Sequence, residues 1–172
     1  MDPIRVHIEV VPLEEGSLGP MGRDRVEFLF SANPGEPLAP LAKVASGGEL
    51  SRLMLAIKTV LADTDTVPVL IFDEVDTGIG GAVATVMGQR LRALAGYHQV
   101  FCITHLPQIA SHATSHWLVE KAMEKKRTVT RITPLDSAAR QGEIARMVGG
   151  LSITNAVRAT AAQMISEADS GA

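Results

Sequence analysis

Acidic and imidazole side chains follow two short apolar runs in the middle of the chain. The run VPVLIF, residues 67–72, leads directly into Asp73 and Glu74, and the run QVFCITH, residues 99–105, ends in His105. An Asp in this place could hold Mg²⁺, because that cation prefers oxygen ligands. The neighbouring Glu could take a proton from an attacking water, and the histidine could hydrogen-bond a terminal phosphate. These residue types favour phosphate chemistry.

A second candidate site is the pair of adjacent glycines, Gly47 and Gly48, which follows Ser46 and precedes a segment with helical spacing. Ser46 could cap that helix, with Glu49 at the third position completing a capping box. Bare glycines would also let a phosphate approach the helix N-terminus, where the dipole favours an anion. Both interpretations can hold together. The chain contains no G-x-x-x-x-G-K-[ST] sequence, so it lacks the lysine and the hydroxyl of a P-loop.

Alternation and apolar periodicity predict the elements that position these residues. The predicted strands are 4–13, 25–32, 67–72, 99–105, 116–122 and 128–135, and the predicted helices are 48–62, 81–95, 106–113, 137–148 and 153–168. A turn is predicted at 14–22 and a loop at 33–43. Continuous apolar runs such as 67–72 are typical of strands buried on both faces of a parallel sheet. The order of strands and helices predicts a parallel sheet in the middle of the chain and antiparallel strands at both ends.

In parallel sheets, ligands bind outside the carboxyl ends of the strands. The cluster Asp73-Glu74-Val75-Asp76 and the pair Thr104-His105 should therefore face the same edge. Solvated acids at a strand end are common, and a lone histidine there is more often structural, but convergence on one edge favours a functional site. The other four histidines lack ligand spacing, and a zinc site is not expected beside one cysteine.

The composition bounds the class of protein. The chain of 172 residues is long enough for one domain with an aliphatic core, since 46% of it is hydrophobic and 3% aromatic. Its formal net charge of −3 argues against this segment alone being a strong nucleic-acid binder, because phosphate contacts need clustered Lys and Arg. One cysteine cannot form a disulfide within the chain, and no signal peptide or membrane span is recognised. We expect a cytoplasmic protein.

Four blocks of the sequence resemble one family of nucleotide-hydrolysing proteins. ASGGELSR is similar to the signature motif of ABC-type ATPases, in the form seen in structural-maintenance-of-chromosomes-like (SMC-like) proteins. VLIFDEVDTGIGG resembles their Walker B strand and D-loop, and ITH resembles their switch-histidine motif. Together with EIARMVGG, the resemblance covers roughly residues 26–168. The likeness is strongest to a group of bacterial DNA-repair proteins of this type.

The resemblance implies a role for each acid and for the histidine. Asp73 would support Mg²⁺, and Glu74 would be the general base for the attacking water. His105 would contact the γ-phosphate of ATP. These roles make ATP and Mg²⁺ the expected substrate and cofactor.

The remaining motif residues would act between two subunits. Ser46 and Gly48 would contact the γ-phosphate of an ATP held by the opposite subunit, with Gly47 allowing the close approach. Asp76, in the D-loop, would work across the dimer interface. Ala45 stands where many ABC proteins have Leu, and this matches the DNA-repair group.

The resemblance also implies the architecture and explains the missing P-loop. Residues 1–172 would be a single α/β domain, the C-terminal lobe of an ABC-type ATPase head, with a central mostly parallel sheet, flanking helices and antiparallel edge strands. The N-terminal half of the same protein would supply the P-loop, and a coiled coil would separate the halves. Two such heads would dimerise around ATP in DNA double-strand-break repair and recombination, at the nucleoid, with DNA bound through the full-length protein. The isolated chain should be inactive.

Two other functions remain open from the sequence. Asp73, Glu74 and Asp76 could form the metal cluster of a phosphodiesterase with a TOPRIM-like site. Such a site needs a further carboxylate from another strand end, for which the chain offers Glu27 and Glu120. Alternatively, the chain could be a non-catalytic dimerisation module, with an exposed apolar face that drives association.

Overall fold

The computed structural model describes residues 5–14, 17–20, 22–31, 35, 37–43, 46–124 and 127–171. Parts of the predicted turn at 14–22 and of the predicted loop at 33–43, together with Ala45, lie outside these residues. The chain divides into two compact units, Met1–Leu50 and Ser51–Ala172. The expectation of one domain stays a prediction.

The first unit contains an antiparallel hairpin. Strand β1 (Arg5–Pro12) pairs with β2 (Asp24–Ser31), and β2 also pairs with the short β3 (Ala39–Pro40). The two long strands are those predicted, because the alternating pattern fits a sheet with two different faces. β3 falls within the predicted loop and is followed by a 3₁₀ turn, Leu41–Lys43. One face of the hairpin carries exposed apolar side chains, namely Val6, Ile8, Val10, Val26 and Phe28.

A strand–helix–strand motif lies in the middle of the chain, with one helix before it and one after it. The motif consists of β4 (Val69–Phe72), α2 (Gly81–Leu94) and β5 (Gln99–Cys102), and the flanking helices are α1 (Gly47–Val60) and α3 (Pro107–Ala110). β4 and β5 pair in parallel, in a register from Val69 opposite Gln99 to Phe72 opposite Cys102. α2 is the crossover between them, as a parallel pair requires. The predicted parallel arrangement is confirmed for this pair.

One face of the parallel pair forms the main core, and the other face is exposed. Leu70 and Phe72 of β4 are buried in a cluster with Leu55, Val75, Ala84, Leu91, Leu94 and Ile109. On the opposite face, Ile71 is 70% exposed and Ile103, just after β5, is 58% exposed. The prediction that this strand is buried on both faces is therefore wrong for the described chain. Alternate side chains of a strand point to opposite faces, and the core cluster covers one of them.

A second hairpin and two helices complete the second unit. Strands β6 (His116–Glu124) and β7 (Arg127–Leu135) pair antiparallel, and α4 (Ser137–Gly149) and α5 (Asn155–Ser170) follow. Asp136 and Thr154 cap the two helices, since their side chains accept from Ala139 N and Val157 N. Gly150 ends α4 with a φ of 60°, a conformation that glycine adopts without strain. Ile144, Ala145, Ala161 and Ala110 form a second buried cluster.

Gly88 allows α2 to pack closely on the segment that contains α3. A Cβ at this position would lie 2.9 Å from the carbonyl oxygen of Gln108 and would overlap the ring of His112. The contact holds the helix that follows β4 against the segment that follows β5.

The predicted α/β class is confirmed, with a parallel pair and antiparallel hairpins. Among the described residues the strands form three separate sheets, of which β4–β5 is parallel, so the parallel part described is smaller than predicted. Within the described ranges, no helix combines the length and the apolar character needed to cross a membrane.

Candidate functional site

Asp73 and Glu74 occupy a tight turn directly after β4. The carboxylate oxygen Oδ1 of Asp73 accepts a hydrogen bond from the backbone N–H of Glu74 at 2.8 Å. Glu74 has a φ of 57°, which is unusual for a residue with a side chain and costs about 1–3 kcal/mol. Its carbonyl oxygen accepts from the N–H of Thr77 at 3.0 Å. Both acidic side chains are exposed, so the turn presents them to solvent from a restrained backbone.

Two side chains of α1 hold this turn from the neighbouring helix. Ser51 Oγ donates to the carbonyl oxygen of Asp73 at 2.7 Å. Arg52 Nη1 donates to the carbonyl oxygen of Thr77 at 2.9 Å and approaches that of Val75 at 3.5 Å. No role was predicted for either residue. The signal available was their place in the ELSR block, where polar side chains interrupt an apolar helix.

Asp76 is a buried carboxylate that binds the segment after β5. The residue is 4% exposed, and its Oδ2 accepts from Thr104 Oγ1 at 2.7 Å and from the backbone N–H of His105 at 2.9 Å. His105 Nδ1 lies 2.9 Å from the same oxygen. Burial raises the pKa of Asp76, but the hydrogen bonds from Thr104 and His105 and the charge of His105 outweigh it and lower the pKa below its usual value. The carboxylate is therefore ionised at neutral pH.

His105 is mostly exposed, although its Nδ1 is engaged by Asp76. Its side chain is 74% exposed. The ring therefore has one nitrogen at the buried carboxylate and the other, Nε2, available to a ligand. Thr104 braces the same segment, because its hydroxyl oxygen accepts from the N–H of Leu106 at 3.0 Å. The predicted convergence of the two strand ends on one edge is confirmed by these contacts.

Cys102, the last residue of β5, is chemically inert in this setting. Burial, with smaller contributions from the negative charges of Asp76 and Asp73, raises the pKa of its thiol to about 12. The thiol stays protonated at neutral pH and is a poor nucleophile.

Ser46, Gly47 and Gly48 belong to the first unit, at the start of α1. Ser46 Oγ accepts a long hydrogen bond, 3.4 Å, from the N–H of Glu49, and its carbonyl accepts from that of Leu50 at 3.1 Å. These contacts are those of a helix cap, as predicted. Their proposed contact with a phosphate stays a prediction, as does the action of Asp76 across a dimer interface.

The acids fit a Mg²⁺ ion that is shared with a phosphate ligand. Among the described residues, no group of three or more His, Cys, Asp and Glu side chains could hold a metal ion alone. Mg²⁺ commonly takes one or two carboxylates and completes its shell with phosphate oxygens and water, and the exposed carboxylate of Asp73 suits that arrangement. Glu27 lies inside β2 and Glu120 inside β6, so neither follows a parallel strand as a phosphodiesterase cluster would require.

Curated proteins provide close relatives of this chain. It is 51% identical over 160 residues to "DNA repair protein RecN" of Xylella fastidiosa, a match that covers 93% of this chain and 29% of the relative. The protein of the same name from Bacillus subtilis is 44% identical over 164 residues, covering 94% of this chain and 28% of the relative. The chain therefore spans less than a third of the length of these relatives. No family model matches it.

A solved structure shows the same fold. The Smc head domain with a coiled coil and joint from Pyrococcus yayanosii matches with a TM-score of 0.54 and 18% identity, over 82% of this chain and 25% of that one. At this identity the likeness concerns the fold alone, which is that of an Smc head domain.

Proposed function

We propose that this chain is the C-terminal half of an ATP-hydrolysing, SMC-like head that acts in DNA double-strand-break repair. The proposal starts from its similarity to RecN proteins, which extends over 93% of this chain. The observation that carries the proposal is the set of Asp73, Glu74 and His105 at the ends of two paired parallel strands. These strand ends are tied together by Asp76. A carboxylate for a cation, a second carboxylate for a proton and an imidazole for a phosphate are the groups that ATP hydrolysis needs.

The proposed reaction is attack of water on the γ-phosphorus of ATP, with cleavage of the bond to the bridging oxygen of ADP. Glu74 takes the proton of the attacking water. Its backbone is restrained on both sides, by the bonds that its N–H and its carbonyl group make, so the exposed carboxylate starts from a defined position. Mg²⁺, when bound, would neutralise charge on the phosphates, and Asp73 is the residue that would hold it.

Ser46, Gly47 and Gly48 take the phosphate of an ATP bound by a second head. Their position at the start of α1 supports this assignment, because helix N-terminal N–H groups and the helix dipole attract anions. The sequence lacks a P-loop, so the nucleotide itself would be held by an N-terminal half of the same protein. The head dimer then closes around two ATP molecules and opens after hydrolysis.

The exposed apolar face of β4 and β5 supports the proposal that an N-terminal half packs on this chain. Val69, Ile71, Phe101 and Ile103 leave a hydrophobic surface on a strand pair whose other face is the core. Burial of one such side chain is worth about 1.5–3 kcal/mol, so a covering segment would gain considerable binding energy there. This chain has a formal net charge of −3, which is unfavourable for binding DNA phosphates. We therefore assign the DNA contacts to other parts of the full-length protein. That protein would act in the cytoplasm, at the nucleoid.

Substitution of Glu74 by Gln in the full-length protein tests the proposal. Gln keeps the size of the side chain but cannot accept a proton, so we expect ATP binding to persist and single-turnover hydrolysis to fall about a hundredfold or more. Glu167→Gln is the matched control, since Glu167 is an exposed residue of α5 that contacts Gln163. Hydrolysis by Glu74→Gln at the wild-type rate would refute the assignment of the base.

A further inference from the structure

The geometry points to Asp76 as the positioning residue that orients the His105 ring and determines which ring nitrogen meets the phosphate. This inference deepens the proposed function and rests on it, because His105 is assigned the γ-phosphate there. It gives Asp76 a task within its own chain, separate from any contact across a dimer interface.

Two hydrogen bonds and one ion pair converge on one oxygen of Asp76. Its Oδ2 accepts from Thr104 Oγ1 at 2.7 Å and from the N–H of His105 at 2.9 Å, and the ring nitrogen Nδ1 of His105 lies 2.9 Å from it as an ion-pair contact. Both the backbone and the ring of His105 are thus held by the same buried atom. The side chain of Asp76 is 5% exposed while that of His105 is 74% exposed, so a fixed carboxylate supports a ring that faces solvent.

The pairing determines where the protons of His105 lie. An ionised carboxylate can only accept hydrogen bonds and would repel a lone pair on Nδ1 at 2.9 Å, so the contact favours a proton on Nδ1. In the neutral ring, Nε2 is then an acceptor. Phosphate oxygens also accept, so contact with the γ-phosphate requires a second proton on Nε2, and His105 binds the phosphate as an imidazolium. Asp76 provides the buried counter-charge for that cation.

The first test is the tautomer of His105, read by ¹⁵N NMR of this chain with ring-labelled histidine and without nucleotide. We expect the neutral ring of the wild type to carry its proton on Nδ1, and Asp76→Ala to shift it to Nε2. Asp169→Asn is the control, because Asp169 pairs with Arg92 elsewhere in the chain. A wild-type ring protonated on Nε2, or a tautomer that Asp76→Ala leaves unchanged, overturns the inference.

The second test is ATP hydrolysis by the full-length protein with Asp76→Asn. The amide oxygen can still accept the two hydrogen bonds from Thr104 Oγ1 and the N–H of His105, so the fold is kept while the counter-charge is lost. We expect kcat to fall about tenfold to a hundredfold, with a much smaller change in KM, since misplacement of a phosphate-binding group acts on the chemical step. An unchanged kcat overturns the inference.

The two tests also separate this inference from the proposed function. A wild-type rate of hydrolysis in Glu74→Gln would refute Glu74 as the base. It would not affect the conclusion drawn from the tautomer of His105. A tautomer that does not depend on Asp76, together with loss of hydrolysis in Glu74→Gln, would refute the role of Asp76 and leave the proposed function intact.

Discussion

The guanidinium of Arg52, on α1, donates a hydrogen bond to the carbonyl oxygen of Thr77 at 2.9 Å, 25 residues further along the chain. The same nitrogen approaches the carbonyl of Val75, and the adjacent Ser51 binds the carbonyl of Asp73. α1 therefore holds the whole turn that carries Asp73, Glu74 and Asp76. Any displacement of α1 along its axis would pull on the backbone that positions the proposed catalytic base.

Loss of the Arg52 guanidinium should loosen this turn. We expect Arg52→Met to lower the free energy of unfolding of this chain by about 1–2 kcal/mol, because a charged donor to two carbonyl groups is removed while most of the aliphatic stem remains. The measurement is the midpoint of urea unfolding at constant slope. Arg90→Met, at an exposed position of α2, is the matched control. Equal midpoints for the two variants would show that the contact contributes nothing.

Gly88 should tolerate no side chain. We expect Gly88→Ala to destabilise the chain by about 1–3 kcal/mol, since its Cβ would overlap His112 and the carbonyl oxygen of Gln108. Gly142→Ala is the opposite case, because Gly142 lies inside α4 with open space around it. That variant should gain about 0.5–1 kcal/mol from helix propensity. Thermal unfolding of both variants checks the prediction, and a stable Gly88→Ala chain would contradict the close packing of α2.

The exposed face of β4 should matter for association and not for the stability of this chain. Ile71 is 70% exposed, so we expect Ile71→Ser to change the free energy of unfolding by less than about 0.5 kcal/mol. Its affinity for a P-loop-bearing half should fall about tenfold or more, because a buried Ile would be lost there. Leu151→Ser, at a fully exposed position, is the control, and titration calorimetry gives both affinities. Equal affinities would place the contact surface elsewhere.

Most elements were predictable because their patterns are strong. α1 was predicted from the helical spacing of Leu50, Leu53, Met54, Ile57, Val60 and Leu61, and β4 from the apolar run before Asp73. The parallel order of the strands also predicted that the segments carrying Asp73 and His105 meet at one edge of the sheet. These features depend on local periodicity and topology, which the sequence displays directly.

The internal bonds of the site were not predictable. A carboxylate that follows a strand is usually solvated, and nothing in the DEVD run distinguishes the buried Asp76 from the exposed Asp73. The positive φ of Glu74 depends on hydrogen bonds that form only after folding. Exposure of Ile71 was missed for another reason, since an apolar run predicts a strand buried on both faces, whereas the core cluster of the described residues covers one face of β4.

Mixing this chain with the P-loop-bearing N-terminal half of a RecN-family protein tests the central claim most directly. We expect no ATP hydrolysis by either half alone and clear turnover by the mixture, which substitution of Glu74 by Gln in this chain abolishes. Turnover by this chain alone, or a well-formed complex of wild-type halves without turnover, would contradict the account.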